Sequence, residues 1–247
     1  MKDNFSTQSA QYAQFRPQYP AEMFGFLFSK TARFEAAWDC GTGNGQVAQV
    51  LAGHFKNVLA TDISARQLEK APPRPNVRYA VEPAEKCSAP DGSFDLITVA
   101  QAVHWFDFER FYAEVRRVLH PDGGLLALLG YGLLHFGEAA LDEPFNHFYA
   151  HTLGPFWDAE RRYVDEHYRS LPFPFRELST PDFSMSFSWS RAQFLGYLGT
   201  WSAVQHFVRA NGHDPLGTFA PEIEAVWPEH ELKTVRFPVF VRLGSTA

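Results

Sequence analysis

The segment Asp39-Cys40-Gly41-Thr42-Gly43-Asn44-Gly45 constrains this chain more than any other. The short apolar run Ala36-Ala37-Trp38 leads into it, and Val47, Val50, Leu51 and Phe55 follow at helical spacing. A strand that passes through three glycines directly into a helix must turn sharply, and it exposes backbone that a ligand can approach closely. The dinucleotide pattern G-x-G-x-x-G would put its last glycine at position 46, which is Gln46; here the glycine comes one residue early. Asp39 ahead of the loop repels a pyrophosphate and suits an ammonium group.

Beyond the loop, short apolar runs alternate with helical patterns, as in a parallel sheet covered by helices. Val58 to Thr61, closed by Asp62, reads as a second strand, Val77 to Val81 as a third, Phe94 to Val99 as a fourth and Leu125 to Leu129 as a fifth. Ser64 and Gln67 have capping-box spacing, and Asp107 stands as N-cap before the apolar stripe Phe108, Phe111, Tyr112, Val115 and Leu119. This predicts a doubly wound α/β core over residues 1–132, its first 30 or so residues forming an arm. Residues 133–232 differ, being rich in His, Phe and Pro. They read as a helical and aromatic cap around one late alternating strand, Phe183-Met185-Phe187-Trp189, followed by one long helix from Ser190 carrying Tyr197, Trp201, Val204 and Val208 on a face. Residues 233–247 return to the sheet as a last strand, in which Pro238 implies an unpaired side or a bulge.

Composition excludes several classes. Twenty-two basic against 28 acidic residues, net −6, argues against nucleic acid as a partner, since phosphates demand a basic face. Two cysteines, Cys40 and Cys87, make neither a disulfide framework nor a metal motif. His135, His147, His151, His167 and His206 never form a compact ligand pattern, so no metal is expected. No apolar signal core opens the chain and no stretch approaches a membrane span, from which a cytoplasmic protein with no membrane partner is expected. No G-x-S-x-G elbow is present for a serine hydrolase.

Three further positions carry chemistry. Asp62 ends the second strand 17 residues after Gly45, where a carboxylate can accept both hydroxyls of a ribose; its structural alternative, capping the next helix, falls to Ser64. Ala84-Glu85 follows the third strand, where a side chain reaches the exocyclic amine of an adenine, or Glu85 is a solvated loop acid. The fourth strand ends in Gln101-Ala102-Val103-His104-Trp105-Phe106-Asp107, at the sheet edge where open α/β folds place their chemistry. His104 can act there as a general base, hydrogen-bond a substrate or cap a loop. Trp105 can wall a cationic methyl donor or a substrate, or simply pack.

Taken together, the loop 39–45, Asp62, Ala84-Glu85, Asp91-Gly92-Ser93-Phe94-Asp95-Leu96 and Leu119-His120-Pro121-Asp122-Gly123-Gly124 resemble the class I S-adenosylmethionine-dependent methyltransferases. Within them the chain is similar to the small-molecule, trans-aconitate methyltransferase-like group, in Tyr12-Ala13-Gln14-Phe15-Arg16-Pro17-Gln18-Tyr19-Pro20, in Gln101 to Phe106 and in Tyr197 to Ala203. The resemblance implies a Rossmann-like, mostly parallel seven-stranded sheet with S-adenosylmethionine as cofactor and a small organic methyl acceptor as partner. It assigns Asp39 and Gly41 to the methionine end, Gly43 and Gly45 to the cofactor-binding loop, and Asp62 to the ribose, with Ile63, Ala84 and Glu85 flanking the adenine. Gln101 falls near the methionine moiety, and Tyr12 and Arg16 in a lid. Tyr19, Trp105 and Trp201 are implied substrate neighbours. The chain departs from the group at Gly199, where a larger, often basic residue is usual, and this removes a charge that a carboxylate would use. Two other readings remain at this point: a nicotinamide-dependent dehydrogenase, and a cofactor-binding protein without activity.

Overall fold

The computed structural model describes residues 17–245, so Tyr12 and Arg16 lie outside the described residues. Helix α1 (Ala21–Lys30) precedes β1 (Ala36–Cys40), α2 (Gln46–Leu51), β2 (Asn57–Asp62), α3 (Ala65–Leu68), β3 (Val77–Val81), β4 (Leu96–Ala100), α4 (Phe108–Val118) and β5 (Leu125–Tyr131). There follow α5 (Ala139–His147), α6 (Arg161–Asp165), β6 (Arg176–Leu178), β7 (Phe183–Trp189), α7 (Arg191–Gly199), α8 (Ser202–Asn211), α9 (Leu216–Glu224) and β8 (Lys233–Ser245).

The strands form one eight-stranded sheet in the order β3-β2-β1-β4-β5-β8-β6, with β7 also paired to β8. The pairs among β1 to β5 are parallel, and β8 runs antiparallel to β5, β6 and β7. The strand beyond the expected seven arises because two segments share β8: β7 takes Lys233 to Val239 and β6 takes Leu243 to Ser245. β1 lies between β2 and β4, so the chain reverses direction of growth there and leaves a crevice at the carboxyl ends of those strands.

Both faces of the sheet are covered. Along β1 and β5, Ala37, Leu125, Ala127 and Leu129 belong to one apolar cluster and Trp38, Leu126 and Leu128 to the other. The first cluster continues without interruption into the second half through Phe136, Phe145, Trp189, Phe194, Trp227 and Phe237. In β7 the alternation is as the sequence predicts, with Met185 and Trp189 buried and the serines exposed. Pro238 introduces no bulge. It stands opposite Ser184 in unbroken register, and its carbonyl accepts the Gly132 N–H at 2.9 Å. Its missing donor falls just past the end of β5, where the ladder stops.

Two local expectations fail. The long helix from Ser190 is two helices, because Trp201 is extended (φ −74°, ψ 138°) and becomes the N-cap of α8. The Thr200 hydroxyl donates back to the Tyr197 carbonyl at 2.6 Å, which competes with a continuing ladder. The capping box expected at Ser64 does not close, since α3 has no side-chain cap bond. It closes instead at Ser190, where Gln193 N donates to Ser190 Oγ (3.3 Å) and Ser190 N donates to Gln193 Oε1 (2.8 Å). Ser190→Ala therefore loses about 1 kcal/mol of stability in urea denaturation, with no change in the denaturant slope.

Candidate active site

Asp39 anchors the glycine loop. It is 1% exposed, and both carboxylate oxygens are engaged: Oδ1 accepts from Thr98 Oγ1 of β4 at 2.8 Å, and Oδ2 accepts from Thr42 Oγ1 and from the Ala48 N–H of α2 at 3.1 Å. One side chain thus ties β1, the loop, the first turn of a helix and the neighbouring strand. Burial pushes its pKa up from 3.8 to about 6, against the bonds from Thr42, Thr98 and Ala48, with the charge of Asp62 adding to the rise. This geometry assigns Asp39 to shaping the loop and leaves no exposed oxygen for a ligand ammonium. Gly41, Gly43 and Gly45 all have positive φ, at 69°, 57° and 83°. A Cβ on Gly41 would stand 2.7 Å from the Ala102 Cβ, so the loop packs directly on the segment that follows β4.

At the end of β2, half-buried Asp62 accepts from Gly43 N through Oδ2 and from Ser64 N through Oδ1, both at 2.9 Å. The helix-approach role expected of Ser64 therefore belongs to Asp62. The two readings of this residue are not exclusive, because an ionised carboxylate offers about four acceptor sites and can bond more than one backbone N–H at a time. Ile63 is half-buried beside it and Ala84 is 2% exposed. Glu85 is half-buried and engaged: its Oε1 accepts the Asp107 N–H at 3.1 Å, joining the loop after β3 to the N-terminus of α4. Asp107 in turn caps that helix by accepting from Arg110 N at 3.1 Å.

The carboxyl edge of β4 opens on a cavity lined by Gln101, His104, Trp105, Tyr131, Trp157, Asp158, Arg161, Tyr197 and Trp201, among others. Gln101 holds a left-handed backbone (φ 53°), uncommon outside glycine, and its Nε2 donates to the Tyr131 carbonyl at 2.8 Å. Trp105 and Trp201 both face this space, as the sequence suggested. Tyr19 lines another groove, with Asn44 and Gln46, and among the described residues meets the cavity through edge-on contact with Tyr131 (5.9 Å).

His104 sits in the cavity wall, but in a setting its sequence position does not announce. It is 7% exposed, its Nδ1 lies 3.2 Å from the Tyr168 hydroxyl, and its ring lies 5.0 Å from that of Trp105. Burial first, and the nearby Arg161 charge second, push its pKa down to about 3. The imidazole is neutral at any ordinary pH and is a weak base, contrary to a near-neutral general base. It is suited to hydrogen bonding.

The residues that sequence reasoning missed come from the second half: Trp157, Arg161, Tyr168 and Tyr197. In the structure the Arg161 guanidinium lies over the Trp157 indole at 4.9 Å, with Trp157 extended and outside the helix that Arg161 opens, so no helical spacing marks the pair in the sequence.

The chain matches the methyltransferase domain family over residues 38–127. It is 34% identical to a Dictyostelium discoideum protein named as a methyltransferase, over 250 residues that cover 98% of this chain and 94% of that one. A solved structure from Anaeromyxobacter dehalogenans, named as a type II methyltransferase, is 41% identical with a TM-score of 0.86, covering 94% of this chain and 98% of that one. Similarity to a Saccharomyces cerevisiae protein named as an S-adenosylmethionine-dependent methyltransferase is 31% over 131 residues, 49% of this chain and 44% of that one.

Two outcomes follow from the titrating groups. Because the folded state binds the Asp39 proton more tightly than the unfolded chain, this residue's stabilisation is present below pH 3.8 and is lost as pH rises through about 6. Asp39→Asn removes that dependence, so the stability difference between variant and parent shifts toward the variant by about 3 kcal/mol as pH rises from roughly 4 to 7, read by urea denaturation. The His104 ring signals in NMR stay at their neutral-imidazole positions between roughly pH 5 and 8, whereas an ordinary histidine titrates there.

Proposed function

Because the chain belongs to the class I S-adenosylmethionine-dependent methyltransferases, we propose that it transfers a methyl group to an oxygen, nitrogen or sulfur atom of a small organic acceptor. The observation that carries this reading is the cavity at the carboxyl edge of β4, walled on one side by Gln101, His104 and Trp105 and on the other by Trp157, Tyr197 and Trp201. It joins the sheet edge, where the cofactor belongs, to an enclosed aromatic space of small-molecule character. The family places the chain among transferases, which leaves the nicotinamide reading without support.

The residues present fit the cofactor. Three left-handed glycines present loop backbone, and Asp62 places a carboxylate beside them, suited to vicinal hydroxyls. Asp62 would hold the ribose; Ile63 and Ala84 would flank the adenine, with Glu85 taking its exocyclic amine through the oxygen not bound to Asp107; Gln101 would border the methionine end. Tyr12 and Arg16 are proposed as a lid by resemblance. When bound, S-adenosylmethionine supplies a methyl group on a sulfonium whose thioether leaves readily.

What the chain itself must do is orient and shield. Gln101, held by the Tyr131 carbonyl, places an amide at the edge of β4, and Trp105, Trp157 and Trp201 exclude water and hold a flat acceptor in line. His104, neutral and braced by Tyr168, positions an acceptor heteroatom through a hydrogen bond at Nε2. Two buried free thiols, Cys40 and Cys87, suit a reducing, cytoplasmic setting. Among the described residues no helix is long and apolar enough to cross a membrane.

Incubating the purified protein with methyl-labelled S-adenosylmethionine and a deproteinised cell extract transfers label to small molecules. Label confined to the protein or nucleic-acid fraction overturns the reading. Asp62→Ala weakens S-adenosylhomocysteine binding by about tenfold or more in calorimetry, the loss of two hydroxyl hydrogen bonds to a charged group.

A further inference from the structure

Two successive non-glycine residues just past α6 adopt a left-handed backbone: His167 (φ 53°) and Tyr168 (φ 60°). Such a pair persists only where its surroundings hold it. Here the Tyr168 N–H donates to the Tyr163 carbonyl at 2.7 Å, and the Tyr168 carbonyl accepts from Arg242 Nη1 of β8 at 2.9 Å. Arg242 is itself fixed by Glu177 of β6 through two parallel bonds, Nε to Oε1 and Nη2 to Oε2, both at 2.8 Å. The phenol ring is fully buried and meets Phe240 edge-on at 5.0 Å. All this bracing delivers one bond to the cavity wall, in which the Tyr168 hydroxyl lies 3.2 Å from His104 Nδ1.

The direction of that bond follows from the two groups. A phenol O–H is a stronger donor than an imidazole N–H, and an imidazole ring nitrogen is a stronger acceptor than a phenol oxygen, so Tyr168 donates and Nδ1 accepts. Burial and the nearby Arg161 charge keep the ring neutral. A neutral ring carries a single proton, which then sits on Nε2. Among the described residues Nε2 makes no hydrogen bond, although His104 is only 7% exposed and lines the cavity. A donor left in that state marks the place of a ligand atom. We propose that Tyr168 is a positioning residue that sets the tautomer of His104, and that His104 Nε2–H donates to a lone pair of the methyl acceptor, such as a ketone or amide oxygen. The histidine thus orients the acceptor and takes no proton from it.

The identity of the ligand rests on the methyltransferase reading, whereas the tautomer is measured without it. Nitrogen-15 NMR of the histidine rings in the full chain reports which nitrogen carries the proton, with His104 identified by the signals missing from His104→Gln. In the parent, Nε2 is pyrrole-like, and Nδ1 is pyridine-like with the displacement of an accepted hydrogen bond. Tyr168→Phe removes that displacement, its fold checked by unchanged S-adenosylhomocysteine affinity in calorimetry. A proton on Nδ1 or an averaged pair in the parent spectrum, or an Nδ1 signal that Tyr168→Phe leaves in place, overturns the proposal. Transfer of label from methyl-labelled S-adenosylmethionine to small molecules then separates donor from base. His104→Leu lowers the rate by about tenfold, the worth of one hydrogen bond, and His104→Gln, which keeps a donor, lowers it less. Equal losses in the two variants, or a fall of about a hundredfold or more in His104→Gln as expected for a lost general base, overturn the donor role. Absence of transfer by the parent counts against the methyltransferase reading and leaves the tautomer to the NMR result.

Discussion

The site depends on one buried carboxylate. Asp39 receives Thr98 from β4, Thr42 from the glycine loop and the Ala48 N–H from α2, and so joins those three elements through one side chain. Asp62 repeats the device at the next strand by receiving Gly43 N and Ser64 N. Two acids on adjacent strand ends thus hold the backbone of one loop open in a left-handed conformation. Burying the first of them opposes its ionisation, which is the cost of a preformed edge. The glycines permit the loop's shape, and the carboxylates determine it.

That division explains why the core was legible in the sequence. Strands buried on both faces must be short apolar runs, and a turn with three positive φ values must be glycine-rich, so β1, β2, β4 and β5 are written in residue type alone, while β3 is a partly exposed edge strand. The local capping signals were less informative because they are only permissive. Ser64 and Ser190 have the same spacing to a glutamine, yet only the second box forms. The first falls where Asp62 already takes the Ser64 N–H, leaving the box without its reciprocal donor. The split at Thr200 and Trp201 was equally hidden, since an apolar face at 197, 201, 204 and 208 reads the same whether the helix runs through or restarts. What separates the cases is tertiary: Trp201 is drawn into contact with Phe145, Tyr149, Trp157 and Tyr197 at 5.3 to 6.0 Å, which outweighs one interrupted ladder.

The functional residues divide along the same line. Positions at strand ends were found because topology brings strand ends together, and Gln101, His104 and Trp105 do line one cavity. Their properties were not found. A histidine's letter carries no information on the dielectric around it, and here burial against Trp105, with Tyr168 at Nδ1 and a cation nearby, converts an apparent base into a neutral hydrogen-bonding group. Tyr168 itself lies 64 residues away in a left-handed conformation (φ 60°), beside His167 (φ 53°). Two successive strained residues that bring a buried hydroxyl to a cavity histidine are visible only in the fold.

The second half then does more than cover the sheet. Its apolar cluster is continuous with that of the core from Leu125 through Tyr131 to Phe237 and Trp189, so the wall bearing Trp157, Arg161 and Trp201 is held by the same packing that holds β5. A cavity built this way has its shape set by folding, and selectivity must come from the groups that line it. Most of those are rings, which accept many flat molecules about equally.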